Sequence, residues 1–403
     1  MPPLNFALKV ISPAFVAGAM EENEKTQYID HGNPIFAIHR FIRKDGDGLR
    51  IPSLRGVLRF WFRAMNGQLP MAGLKTAEAE VFGDTERGQG IRIIPNGIEN
   101  WRAEKITGDN SLGYLGYGPV ANVPGGGSSS HHKNSAREAI SPETIFKFKA
   151  IGHKSEHVEA LKKCLLLLHL FGGIGSRSRR AWGSLAVIGD FIPKFEKNES
   201  SKDWFENALT KVWPGATKPS GQPNLPLFSA FFADSAIRIS ASRSNYREVM
   251  KEFYQQLKQT RLYDINNPAG SPPIAKADHD WEARDSAGND VNDVPLRLAF
   301  GMPYSPASRR NHWGISYKGY YPDPNDPRKT KELDRLAFIF KSLSRPRSKA
   351  LCGFSFFESR VLRQKKCRNR QRSYRQQKVF SRLESRGRVY ELSELANHQF
   401  AMK

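Results

Sequence analysis

Three arginines spaced four residues apart, Arg55, Arg59 and Arg63, lie in the segment Ile51-Pro-Ser-Leu-Arg-Gly-Val-Leu-Arg-Phe-Trp-Phe-Arg-Ala-Met65. Residues four apart share one face of an α-helix, so this spacing lines up guanidinium groups beside an apolar stripe of Leu54, Val57, Leu58, Trp61 and Met65. No Asp or Glu occurs between Ile51 and Leu74. The arginines therefore have no acid at i, i+4 spacing to absorb their charge. A second cluster reads Leu170-Phe-Gly-Gly-Ile-Gly-Ser-Arg-Ser-Arg-Arg-Ala-Trp-Gly-Ser-Leu185. Here Gly172, Gly173 and Gly175 let the backbone approach a ligand closely. Ser176, Arg177, Ser178, Arg179 and Arg180 offer hydroxyls and planar cations that fork around phosphate. It is not a nucleotide P-loop, because no Gly-Lys-Ser/Thr follows, and Gly173-Ile-Gly175 lacks the third glycine of a dinucleotide fingerprint. Chains of phosphates suit both clusters.

Residues for acid–base work are scattered. His31 and His39, with Asp30, Asp45 and Asp47, fall in a polar stretch after the first strand, where a side chain could reach a scissile phosphate. Lone histidines in such a loop are usually solvated, and no two of these groups show a spacing that fixes a reaction geometry. Asp278-His-Asp280 lacks the further ligands of a metal pair. Cys164, Cys352 and Cys367 are odd in number and show no paired-ligand spacing, against both a disulfide framework and a zinc site. We expect no catalytic residue, no metal and no cofactor. Trp61, Trp182, Tyr114 and Tyr117 could stack on bases, although Trp61 belongs to the packed stripe.

The whole chain is basic, with 62 Lys and Arg against 40 Asp and Glu, a net charge of +22 and a pI near 9.9. A polyanionic partner is implied, and nucleic acid is favoured because cations that neutralise phosphates release counterions. The longest aliphatic run, Leu165 to Leu168, is far below the roughly 20 residues that span a bilayer. No membrane partner is expected, and the cysteine usage fits a reducing cytoplasm. Residues 341 to 390 hold sixteen Lys or Arg and two acids, so +14 of the +22 lies there.

These clusters need elements to hold them. Leu4, Phe6, Leu8 and Val10 alternate as one face of a strand, and Ser53 is a plausible N-cap for a helix from Leu54 to Met65. A loop-rich insertion spans about 83–135 and includes Tyr114-Leu-Gly-Tyr-Gly and the Gly125-Gly-Gly-Ser-Ser-Ser-His-His tract. Ile145 to Ile151 alternates as a strand, 156–171 forms an apolar helix ending at Gly172-Gly173, and Ser184 to Ile188 is the next strand. The fold class expected is α+β, a βαββαβ unit over the first 190 residues. Four prolines between Pro214 and Pro226 mark a linker. The expected domains are 1–213, a linker 214–226, a second and incomplete domain over 227–340, and a basic tail 341–403. Within the second domain, Ala236 to Ser240 reads as a strand and Tyr246 to Leu257 as a helix.

Leu54-Arg-Gly-Val-Leu-Arg-Phe-Trp-Phe-Arg63 resembles the first-helix signature of the RAMP superfamily of CRISPR-associated proteins. Gly172-Gly-Ile-Gly-Ser-Arg-Ser-Arg-Arg180 resembles the family's glycine-rich loop. Together these two segments more closely resemble the first subunit of the Cmr, or type III-B, effector complex. Val81-Phe-Gly, Tyr114-Leu-Gly-Tyr-Gly and Leu296-Arg-Leu-Ala-Phe-Gly-Met-Pro-Tyr304 are weaker echoes in the same order. The resemblance implies tandem ferredoxin-like, RRM-like domains with loop insertions. It also implies an RNA-binding role without catalysis, with guide or target single-stranded RNA and other Cmr subunits as partners in antiviral defence. Arg55, Arg59, Arg63 and the loop from Gly172 to Arg180 are the RNA-binding candidates. The opposing reading is a metal-independent endoribonuclease, since relatives in the superfamily cut RNA. Asp334-Arg-Leu-Ala-Phe-Ile-Phe-Lys-Ser-Leu343 lacks the Ser-Pro step of the family pattern, and the pattern is lost after it. The tail then reads either as a disordered basic arm or as the product of a shifted reading frame after about residue 340.

Overall fold

The computed structural model describes residues 2–16, 22–30, 33–41, 49–108, 110–116, 119–122, 138–196 and 199–214. Beyond these it describes 230–231, 237–239, 243–261, 268–271, 276, 320–323, 326–332, 338–344 and 350–356. The chain divides into two units, Met1–Gly221 with Phe231–Gln255 and Ile339–Phe356, and Gln222–Ala230 with Gln256–Phe338 and Phe357–Lys403.

In the first unit the alternating segment at the N-terminus is β1, Leu4–Val10, which buries Phe6, Leu8 and Val10. Two strands, β2 (Glu22–Asp30) and β3 (Asn33–Phe41), pair as an antiparallel hairpin. Helix α1 covers Ile51–Met65 and α2 Met71–Phe82. Strands β4 (Ile91–Glu99), β5 (Ala103–Lys105), β6 (Glu138–Ile140) and β7 (Ile145–Gly152) follow, with the short helix α3, Asn110–Leu115, between β5 and β6. Helix α4, Ser155–Phe171, leads to β8, Leu185–Ile188, and α5, Ser201–Val212. Four of the strands form one antiparallel sheet in the order β8-β1-β7-β4. The path β1, α1, β4, β7, α4, β8 is the expected strand–helix–strand–strand–helix–strand order.

Helix α4 explains why Leu165 to Leu168 are apolar without a break. Leu165, Leu166, Leu167 and Leu168 are all buried, because both the sheet and other helices pack around this helix. Phe171 meets Phe205 of α5 at 5.3 Å and stacks with Trp61 of α1 at 6.1 Å. Among the described residues no helix is long and apolar enough to cross a membrane.

Several expectations need correction. Helix α1 starts at Ile51, not Leu54. Its N-cap is Arg50 without a side-chain cap, and Pro52 sits in the first turn, where a missing N–H costs nothing. His39 lies on β3 opposite Glu24 and not in a loop. His31, Asp45 and Asp47 lie outside the described residues, as do the Gly125 tract, 278–280 and 294–304. Strand β4 is an integral edge strand of the sheet, inside what the sequence suggested was a loop-rich insertion. It carries Pro95 and Gly97, and its pairing with β7 shifts register between Pro95 and Ile98. An edge strand tolerates both residues.

Ile237–Ile239 forms an antiparallel pair with Ala350–Phe356, which also pairs with Phe338–Ser344. Strands therefore continue into the beginning of the basic stretch, while 357–403 lie outside the described residues. In the second unit, Tyr320–Asp323 and Asp326–Glu332 form an antiparallel hairpin.

Candidate nucleic-acid interface

The glycine-rich loop joins the end of α4 to β8, and its shape is imposed by its neighbours. Four residues take positive φ: Gly175 at 80°, Arg177 at 63°, Ala181 at 65° and Gly183 at 62°. For Arg177 and Ala181 this conformation costs roughly 1–2 kcal/mol each and persists only where surrounding contacts fix it. Those contacts are present. Ser176 N donates to Phe15 O at 2.8 Å, Ile174 N to Gly183 O at 2.9 Å and Gly183 N to Pro13 O at 2.8 Å. Both Ser12 Oγ and Ser184 Oγ donate to the Ala181 carbonyl, and Ser184 N donates to Ser12 Oγ at 3.0 Å. Trp182 is fully buried against Phe15, ring to ring 4.9 Å. It anchors the loop and is not a base-stacking platform.

The glycines are required by these approaches. A Cβ on Gly175 would lie 2.4 Å from Phe15 O, and one on Gly183 would lie 2.0 Å from Ile174 O. One on Gly172 would meet Leu168 Cδ1 at 2.4 Å, and one on Gly173 would meet Gly183 O at 2.8 Å. At the tip a turn closes with Arg180 N donating to Arg177 O at 2.8 Å. Arg179 is exposed there, while Ser176, Arg177, Ser178 and Arg180 are partly exposed. Arg180 lies over the ring of Tyr114 on α3, 5.8 Å from its centroid.

The first-helix arginines are placed differently. Arg59 Nη1 donates to Glu78 Oε1 at 2.9 Å, and Arg63 Nη1 lies 3.2 Å from both Glu78 oxygens. Arg59 also donates to the carbonyls of Phe82, at 3.1 Å, and Gly83, and Arg55 donates to Phe82 O. These carbonyls end α2, where a helix has unpaired acceptors and partial negative charge. Burial, and then the neighbouring Arg59, lower the Arg55 pKa from its ordinary value. No acid stands at i, i+4 spacing, and the acidic partner of Arg59 and Arg63 is instead buried Glu78, supplied by the next helix. The structure does not bring the two arginine clusters onto one loop or one helix.

The residues missed by sequence reasoning are Glu78, Ser12 and Phe15. Glu78 has the most legible signal, as an acid on the buried side of a helix next to an arginine ladder. Ser12 and Phe15 act on residues more than 160 positions away, and no local pattern marks them.

Residues 7–186 match the family model of the RAMP superfamily. The CRISPR system Cmr subunit Cmr1-1 of Pyrococcus furiosus is 23% identical over 229 residues, covering 52% of this chain and 64% of the relative, slightly under two thirds of its length. The crystal structure of Cmr1 from Pyrococcus furiosus in its apo form is similar in fold, with a TM-score of 0.51 and 15% identity over 90% of this chain and 89% of that one. A chain in the cryo-EM structure of the Type III-B Cmr-beta bound to cognate target RNA gives a TM-score of 0.45 and 12% identity, covering 89% of this chain and 95% of that one. The segment that carries the four-stranded sheet, the arginine helix and the glycine-rich loop is thus similar to the RAMP superfamily, and the chain has a Cmr1 subunit among its relatives.

Proposed function

We propose that this chain is an RNA-binding, non-catalytic subunit of a type III-B CRISPR ribonucleoprotein, acting in the cytoplasm in antiviral defence and built on tandem ferredoxin-like domains. Its partners are guide or target single-stranded RNA and other Cmr subunits. The observation that carries the reading is the glycine-rich loop: a backbone held in unfavourable conformations by buried serines and Trp182, presenting Arg177, Arg179 and Arg180 at its tip. Strain maintained by surrounding contacts is common at ligand-binding sites, and guanidinium groups on a preset backbone suit phosphate. Arg59 and Arg63 act mainly by fixing α2 against α1, so the loop arginines supply most of the RNA contact from this region.

The test is co-expression with the neighbouring Cmr subunits, followed by purification and crosslinking to RNA. The expected result is a stable particle in which peptides from 172–180 crosslink to RNA. Labelled single-stranded RNA incubated with the isolated chain should remain intact. Cleavage that disappears on His31→Ala, His39→Ala or Asp47→Ala would replace this reading with the endoribonuclease one.

A further inference from the structure

The N-terminal end of α4 carries a second basic cleft that the glycine-rich loop does not share. The two ends of this 17-residue helix are about 24 Å apart at 1.5 Å per residue. The cleft measures about 590 Å³ and lies between the loop after α2, the start of β4 and the start of α4. Its cations are Arg87, Arg92 and Lys154, with His153 and His157 beside them and Glu80 as the one acid. Lys154 and Glu80 are both more than half exposed and 3.4 Å apart. Arg87 and Arg92 have no ion-pair partner among the described residues, and the net charge is positive.

The walls are fixed. Asp84 Oδ1 accepts from the backbone N–H of Glu86 at 2.9 Å and of Arg87 at 2.7 Å. These bonds hold the Asp84 carboxyl below its usual pKa and set the turn that carries Arg87. His153 N donates to Gly90 O at 2.9 Å, and the His157 ring Nδ1 sits 3.2 Å from the same carbonyl. A carbonyl only accepts, so Nδ1 carries a proton there. His157 is 6% exposed, and its Nε2 is buried without a hydrogen-bond partner. A buried polar atom left unpaired costs about 1–3 kcal/mol and calls for an explanation. The N-cap residue of helix α4, Lys154, gives its first turn no side-chain cap, although the Glu156 carboxylate bonds its own amide and Ser155. A helix start bordered by cations is suited to an anion.

We propose that this cleft is a second phosphate-binding site, holding a phosphodiester of the same RNA strand through Arg87, Arg92 and Lys154, with the His157 ring in the wall beside it. Phosphate as the ligand follows from the cleft itself; RNA as its source rests on the function proposed above.

Ring-nitrogen NMR spectra of the full chain test both parts, recorded as inorganic phosphate and then single-stranded RNA are added. The His157 signals should move saturably with each probe, and the movement should be lost in the triple variant R87A/R92A/K154A. The same variant should flatten the slope of log affinity for RNA against log salt by about 2 units, at ~0.7 per contact, with its unfolding temperature unchanged. If the chain binds RNA but the His157 signals do not move and the slope is unaltered, the site is refuted while the RNA-binding reading stands. If phosphate moves His157 saturably but the chain binds no RNA, the phosphate site stands and the RNA-binding reading falls. Loss of Cmr subunit association with an unaltered RNA slope would make the cleft a protein interface and overturn the proposal.

Discussion

Replacing Glu78 by Gln tests how far the arginine ladder of α1 is structural. The Glu78 side chain is only 9% exposed and receives Arg59 at 2.9 Å and Arg63 at 3.2 Å. Removing one partner of a buried ion pair costs about 3–5 kcal/mol, chiefly by stranding the other charge. Here the stranded charges are not fully buried, since the Arg59 and Arg63 side chains are 27% and 40% exposed, and Arg59 keeps the carbonyls of Phe82 and Gly83. The expected loss is therefore lower, about 2–3 kcal/mol. For a unit of this size it corresponds to a fall in Tm of about 4–12 °C. Thermal unfolding of the full chain, followed by circular dichroism, reads this out. Glu80→Gln is the control: its pair with Lys154 is open to solvent at 3.4 Å and should contribute less than about 1 kcal/mol. If Glu78→Gln unfolds at the same temperature as Glu80→Gln, the arginines do not depend on Glu78, and the argument that they fix the two helices fails.

Gly175→Val should destabilise the chain by at least ~2 kcal/mol in thermal unfolding, because it combines a φ of 80° with a Cβ 2.4 Å from Phe15 O. Gly73→Ala, in α2 with nothing within 4 Å of the new Cβ, should instead stabilise it by about 0.5–1 kcal/mol. Ser12→Ala removes the group that bridges Ala181 O and Ser184 N; leaving that N–H unpaired should cost about 1–3 kcal/mol by the same measurement. Burial, reinforced by Glu78, raises the Cys164 thiol well above its usual pKa. With Cys352 and Cys367 changed to Ser, a thiol reagent should therefore label Cys164 only after unfolding.

The elements legible in the sequence are those with a strong period. Leu4 to Val10 and Ile145 to Gly152 alternate, and 155–171 is apolar nearly all round, as a central helix must be. Helix α2 was harder to see because its apolar residues do not gather on one face, and β4 because Pro95 and Gly97 interrupt it. The glycine-rich loop could be recognised from its composition, since glycines beside arginines require a close approach and supply charge. Its rigidity could not, because it depends on Ser12, Pro13 and Phe15 from the other end of the domain. The arginine ladder was visible, but its partner was not. Searching for acids at i, i+4 within one helix cannot find Glu78, which reaches Arg59 and Arg63 from 19 and 15 residues away.

RNA affinity of the assembled particle, measured at several salt concentrations with Arg177, Arg179 and Arg180 all changed to Ala, tests the central claim most directly. If each arginine meets one phosphate, the slope of log affinity against log salt should flatten by about 2 units, at ~0.7 per contact with single-stranded RNA. The backbone bonds that hold the loop do not use these side chains, so the fold should persist, with the lost Arg180–Tyr114 contact lowering the unfolding temperature only slightly. A normally folded variant with the wild-type salt slope would contradict the account, because the loop arginines would then contact no RNA phosphate.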